Sequence, residues 1–158
     1  MNSRLLSTYQ KLQIPEALTL EHEELRAELI RWAREPGRIG KAAERVARLC
    51  DAHFAREEGN ISRAFGMLHD MASDRVQPEM AAVAKIIAQF STQHNALHGQ
   101  HQSLDAAIQN LLQEARKGKN EEIADLVATL RDHERIEEEV VFPTVLDIAR
   151  SVEQGMGI

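Results

Sequence analysis

Residues 133–143 read His133-Glu134-Arg135-Ile136-Glu137-Glu138-Glu139-Val140-Val141-Phe142-Pro143. A histidine and a glutamate four positions apart project from one side of an α-helix, and the proline kinks or restarts the helix that carries them. His101 stands 32 positions before His133. The first half of the chain repeats the arrangement, with His53-Phe54-Ala55-Arg56-Glu57 preceded by His22 at 31 positions. One such pair is an ordinary feature of a helix surface. Two pairs, each led by a histidine at a matched distance, form a donor set suited to metal ions in the core of a helical bundle.

Composition supports a helical reading. The 158 residues are 43% hydrophobic, 28% charged and only 4% aromatic, which disfavours an all-β fold. The length suits one domain with a sizeable core. A net charge of −6 argues against nucleic acid as a partner. The locally basic stretch Arg34, Arg38, Lys41, Arg45 and Arg48 has the spacing of a solvated helix face. No apolar run approaches the ~20 residues of a membrane span, and Met1–Leu6 lacks the pattern of a secretory signal. The lone Cys50 has no internal disulfide partner, which fits a reducing cytoplasm and a small buried core thiol.

The breakers divide the chain into four helices. Pro15 reads as the first-turn residue of a helix that continues to about Arg34, where Glu35-Pro36-Gly37 ends it. A second helix is expected from about Gly40 to His69, with Gly59 a costly interruption. A polar connection over residues 71–78 leads to a third helix from about Glu79 to Lys117, stopped by Gly118. Asn120 is a good N-cap for the fourth, with Glu121 and Glu122 at its positive end. Residues 1–14 read as an amphipathic arm, 15–150 as the bundle and 151–158 as a loose tail. Short connections give an all-α, up-down-up-down antiparallel four-helix bundle with a di-metal site in its core.

Folding the chain into hairpins gives the repeat a geometry. Residues equidistant from a turn share a level, which brings His22 level with His53 about position 37, and His101 near His133 about position 119. The third helix leaves a choice. Judged from a connection centred near 75, height on the second helix favours residues near His94, whereas the repeat points to His101, and His98 serves both estimates. The expected metal ligands are therefore His22, His53, Glu57, His98, His101, His133 and Glu137, with His94 the alternative to His98. Glu138 is a fallback for Glu137, and Glu58 a weaker one for Glu57. Ferritin-like bundles use Glu-x-x-His, and no histidine here has a glutamate three positions before it.

The order His, His-x-x-x-Glu, His, His-x-x-x-Glu across residues 16–148 resembles the hemerythrin-like (HHE cation-binding) domain, most specifically in the closing His-x-x-x-Glu-Glu-x-x-x-Phe-Pro. The resemblance implies two iron ions in a non-haem, oxo- or hydroxo-bridged centre, with Glu57 and Glu137 bridging. It further implies a small gaseous or peroxide ligand, namely dioxygen, nitric oxide or peroxide, that is bound or reduced there. Peroxidase- or catalase-like turnover is one form of that activity. An iron- or oxygen-responsive regulatory module acting through a partner protein is the alternative. Zinc and manganese suit the same donors.

Overall fold

The computed structural model describes the backbone of residues 3–72 and 79–156, and the side chains of 16–59, 99–147, 150, 151 and 154. The described backbone is all-helical: α1 (Ser3–Ala33), α2 (Arg38–Ala72), α3 (Glu79–Gly118), α4 (Glu121–Ile136), a π-helical segment (Glu137–Val141) and α5 (Phe142–Met156). Helix α1 packs on α2, α2 on α3, and α3 on both α4 and α5, while α1 also meets α4 and closes the ring. Ion pairs mark the antiparallel registers. Arg26 meets Asp51 across α1 and α2 at 3.1 Å, and Arg31 meets Glu122 across α1 and α4 at 3.2 Å. This is the four-helix bundle the sequence predicts.

The two short turns follow from their residues. Gly37 takes φ +85°, a left-handed conformation open to glycine at little cost. Asn120 caps α4, its side-chain oxygen accepting from the Ile123 N–H at 3.1 Å, and Glu121 and Glu122 occupy the first turn. One detail differs from expectation. Gly118 is the last residue of α3, and Lys119 takes the left-handed position at φ 53°. The Asn120 N–H bonds the Ala115 carbonyl at 2.9 Å there, which satisfies one of the helix-end carbonyls.

Helix α1 begins at Ser3 and runs through Pro15 instead of starting there. A proline supplies no N–H, so the ladder bond to the fourth preceding carbonyl is missing at that point. The arm side chains Leu5, Leu6, Tyr9 and Leu12 lie outside the described residues, as do residues 73–78 of the α2–α3 connection. Helix α5 is helical through Met156, past Val152 where the sequence reads a loose tail.

Near Phe142-Pro143 the helix does not simply kink. The Phe142 N–H bonds the Glu137 carbonyl five residues back, one residue wider than an α-turn. Pro143 has no N–H to continue a regular ladder, and the widened turn just ahead of it takes up the mismatch. The inserted residue rotates the rest of the helix. Val141, Phe142 and Val145 are buried, whereas Val140 is 54% exposed.

The apolar core fills the end of the bundle near the two short turns. Leu25, Leu29 and Trp32 meet Val46, Cys50, Phe54, Ile108, Leu111, Ile123 and Leu130. Burial, with the nearby Glu134 and Asp51 charges, pushes the Cys50 thiol up from its usual value, so it behaves as a core residue. The five basic residues from Arg34 to Arg48 are all exposed.

Two glycines of α2 predict opposite outcomes. A Cβ on Gly40 would collide with the backbone carbonyl of Glu35, which cannot swing aside. Gly40→Ala is expected to cost about 1–3 kcal/mol through this overpacking. At Gly59 nothing lies within 4 Å of the added carbon, so Gly59→Ala should stabilise by about 0.5–1 kcal/mol. Urea midpoints of the two variants, at unchanged m-value, check both signs.

A candidate metal centre

One level above the apolar core, six polar side chains are buried together. His22, His53, Glu57, His101, His133 and Glu137 are all at or below 6% exposure. Helical spacing sets the two pairs: His53 Nε2 lies 3.2 Å from Glu57 Oε1, and His133 Nε2 lies 2.6 Å from Glu137 Oε1. His22 comes from α1 and His101 from α3. They fall into two four-residue sets, His22–Glu57–His133–Glu137 and His53–Glu57–His101–Glu137, each with its donor atoms within 4.8 Å of one another. The two sets share both carboxylates.

Every described site histidine points Nε2 inward. The Nε2 atoms of His22 and His133 are 3.0 Å apart, and those of His53 and His101 are 2.9 Å apart. Three of the four rings have a carboxylate on Nδ1. His22 Nδ1 meets Glu58 at 2.9 Å, His101 Nδ1 meets Glu138 at 2.7 Å, and His133 Nδ1 meets Glu21 at 3.3 Å. With Nδ1–H donating outward, Nε2 carries the lone pair and faces the centre. Arg26 supports this outer layer, since its guanidinium bonds Glu58 at 3.0 Å and lies over the Phe54 ring. Phe54 in turn stacks flat on His22, with centroids 3.9 Å apart.

The electrostatics call for positive charge at the centre. Burial and the neighbouring Glu137 charge push the Glu57 carboxyl well above its usual range. Burial pushes Glu137 the same way, but the imidazoles of His101, His133, His22 and His53 gathered around it outweigh that and hold Glu137 below that range. His101 and His133 are opposed by burial yet raised overall by Glu137 and by their outer glutamates. Both oxygens of Glu57 and Oε1 of Glu137 are buried with no aligned hydrogen-bond donor. Lone pairs converging at under about 3 Å, beside unsatisfied carboxylate oxygens, fit divalent cations in place of protons.

Two surface clefts flank the centre. One, of about 420 Å³ between α1 and α4, includes Glu21 and Arg31 but none of the central histidines. The other, of about 330 Å³, is lined by His101, Asp105, Arg131, Glu134 and Glu138, and reaches the site at His101.

The structure thus brings together six of the seven residues expected from sequence. The side chain of His98 lies outside the described residues, as do those of His94 and His69. His101 meets His53, 48 positions away in the sequence, so packing sets the level of the third helix at His101. Glu137 occupies the interior, and the fallback Glu138, with its side chain 44% exposed, sits outside against His101. Glu58 likewise backs His22. Sequence reasoning missed Glu21 and Arg26. The available signal was position: Glu21 adjoins His22, and Arg26 is one turn further along the same face.

Fold and site together define a helical cation-binding bundle with buried His/Glu groups that could hold a metal. The family model described as the hemerythrin HHE cation-binding domain matches residues 13–145, and the chain belongs to that family. No curated protein and no solved structure matches the chain. Among the described residues no helix is long and apolar enough to cross a membrane.

Glu134 gives a pH-dependent expectation. Burial, with Asp105 and Glu137 nearby and His101 opposing, raises its carboxyl from 4.5 to about 7. A carboxyl raised on folding binds more protons in the native state, so stability falls as pH rises between 4.5 and about 7. In chelator-treated protein, Glu134→Gln should therefore raise the thermal midpoint above pH about 7 and change it little near pH 4.5. Melting curves across that window check the sign.

Proposed function

We propose that this chain is a non-haem di-iron protein that binds or reduces a small oxidant, with one ion in each four-residue set. The observation that carries the proposal is the sharing of Glu57 and Glu137 by both sets. Each ion would draw two imidazoles from one set and one oxygen from each shared carboxylate. Four protein donors are fewer than an octahedral ion takes, which leaves room for a small molecule. Bound iron would supply an open ferrous position and the electrons that a dioxygen, nitric oxide or peroxide ligand requires.

The chain's own residues define what such a molecule meets. Phe54 and Arg26 cover the His22 side of the centre. On the other side, the α3–α4 cleft leads to His101 past Glu134, whose carboxyl near neutrality can hold or release a proton. Glu138 and Glu21 keep the His101 and His133 rings oriented, and thereby keep Nε2 as the inward donor. The buried Cys50 suits a reducing cytoplasm.

A regulatory role is the second reading, favoured by the origin of the donors on all four rods of the bundle. Ion binding that requires α1, α2, α3 and α4 to be assembled stabilises the assembly, by about 2.7 kcal/mol at a hundredfold excess over Kd. A partner that binds only one metal state would support this reading over simple ligand binding.

Metal analysis with an absorption spectrum of aerobically purified protein tests the proposal. Two irons per chain are expected, with visible bands that change on adding azide, nitric oxide or peroxide. Glu57→Ala removes a shared donor and should lower the content to one iron or none. Two irons retained in that variant would overturn the shared role of Glu57, and an iron-free wild type would overturn the di-iron reading. Catalytic peroxide loss that Glu57→Ala abolishes would mark an enzyme, whereas a stoichiometric spectral change would mark a binder.

A further inference from the structure

The outer contacts of the four histidines run round the bundle in one direction. His22 on α1 is met by Glu58 on α2, His101 on α3 by Glu138 beyond α4, and His133 on α4 by Glu21 on α1. Each ring is backed from the next helix in order. The missing contact is that of His53 on α2, which the pattern assigns to α3. His53 Nδ1 is buried and has no hydrogen-bond partner.

The half-chain repeat identifies the residue that belongs there. Glu21 immediately precedes His22, the histidine whose Nε2 touches that of His133. Its counterpart is Gln100, which immediately precedes His101, the histidine whose Nε2 touches that of His53. Gln100 Oε1 is also buried and also without a partner. An unmet donor and an unmet acceptor therefore occupy equivalent places about one imidazole contact, where buried polar atoms ordinarily pair.

We propose that Gln100 is the positioning residue for His53. Its side-chain carbonyl takes the Nδ1 proton, through a rotamer turn or one bridging water, and so fixes Nε2 as the inward nitrogen. The other three rings are backed by carboxylates, which raise the basicity of an imidazole donor, and a neutral amide does so less. His53 is consequently the weakest of the four donors, and the ion it shares with His101 is the more loosely held. This consequence rests on the two-ion reading, while the Gln100–His53 contact stands without it.

Two measurements test the inference. In chelator-treated protein carrying ¹⁵N-histidine, at a pH where the rings are neutral, long-range nitrogen–proton spectra report the tautomer of each ring, with His53→Gln assigning the signal. Wild type should show His53 as the Nδ1–H form. Gln100→Leu should shift that signal alone towards Nε2–H, and Gln100→Glu should restore it. Zinc titration then reads the two ions. Gln100→Leu should weaken one zinc equivalent by about 10–100-fold, and Gln100→Glu should tighten that same equivalent. An unchanged His53 tautomer in Gln100→Leu would overturn the proposal. Wild type taking up fewer than two zinc ions would defeat the two-ion reading while the tautomer result still decides the role of Gln100.

Discussion

Two carboxylates, Glu57 and Glu137, face each other at 0% exposure inside a bundle whose remaining interior is largely aliphatic. Like charges in a dry core repel, and each loses its hydration. The surrounding layers answer that cost. Four imidazoles surround the pair, three outer glutamates orient those imidazoles, and Arg26 holds one of the glutamates in turn. Such an arrangement contributes little to stability without positive charge at its centre. It is better understood as a site that the apolar half of the bundle holds in place.

That division of labour runs along the helix axes. Near the two short turns, Leu29, Val46, Ile108 and Ile123 pack without polar interruption and set the registers of both hairpins. The donors sit a few turns further on, close enough that their levels are fixed by the same packing. The π segment is the one departure from regular helix among the described residues, and it begins at Glu137 itself. It lets His133 and Glu137 face the centre on one side of the insertion while Phe142 and Val145 face the core on the other. Phe142 also packs parallel to the His101 ring, with centroids 6.0 Å apart.

The halves of the centre match closely in their inner donors and differ in their surroundings. His22 and His133 lie behind Phe54, Arg26 and two carboxylates. His53 and His101 have one outer carboxylate between them, and His101 adjoins the cleft between α3 and α4. An internal repeat thus supplies equivalent donors, and single differences outside the donors, such as Gln100 in the second half against Glu21 in the first, make the two places chemically unequal.

Local spacing in the sequence determined the features that depend on one helix alone. The His-x-x-x-Glu pairs share a face because of the α-helical repeat, Asn120 caps α4 by its own side chain, and the third helix is bounded at Glu79 and Gly118 by its breakers. Even the hairpin levels of His22 and His53 were legible, because a turn as short as Arg34–Gly37 leaves little freedom in register. Tertiary structure decided what depends on contacts between helices. The longer α2–α3 connection left the level of the third helix open, and packing set it at His101. Which glutamate of each adjacent pair enters the centre, Glu57 over Glu58 and Glu137 over Glu138, follows from helix rotation, which neighbouring side chains fix. The ring of outer carboxylates joins residues as far apart as Glu21 and His133, and no spacing along the chain records that distance across the bundle.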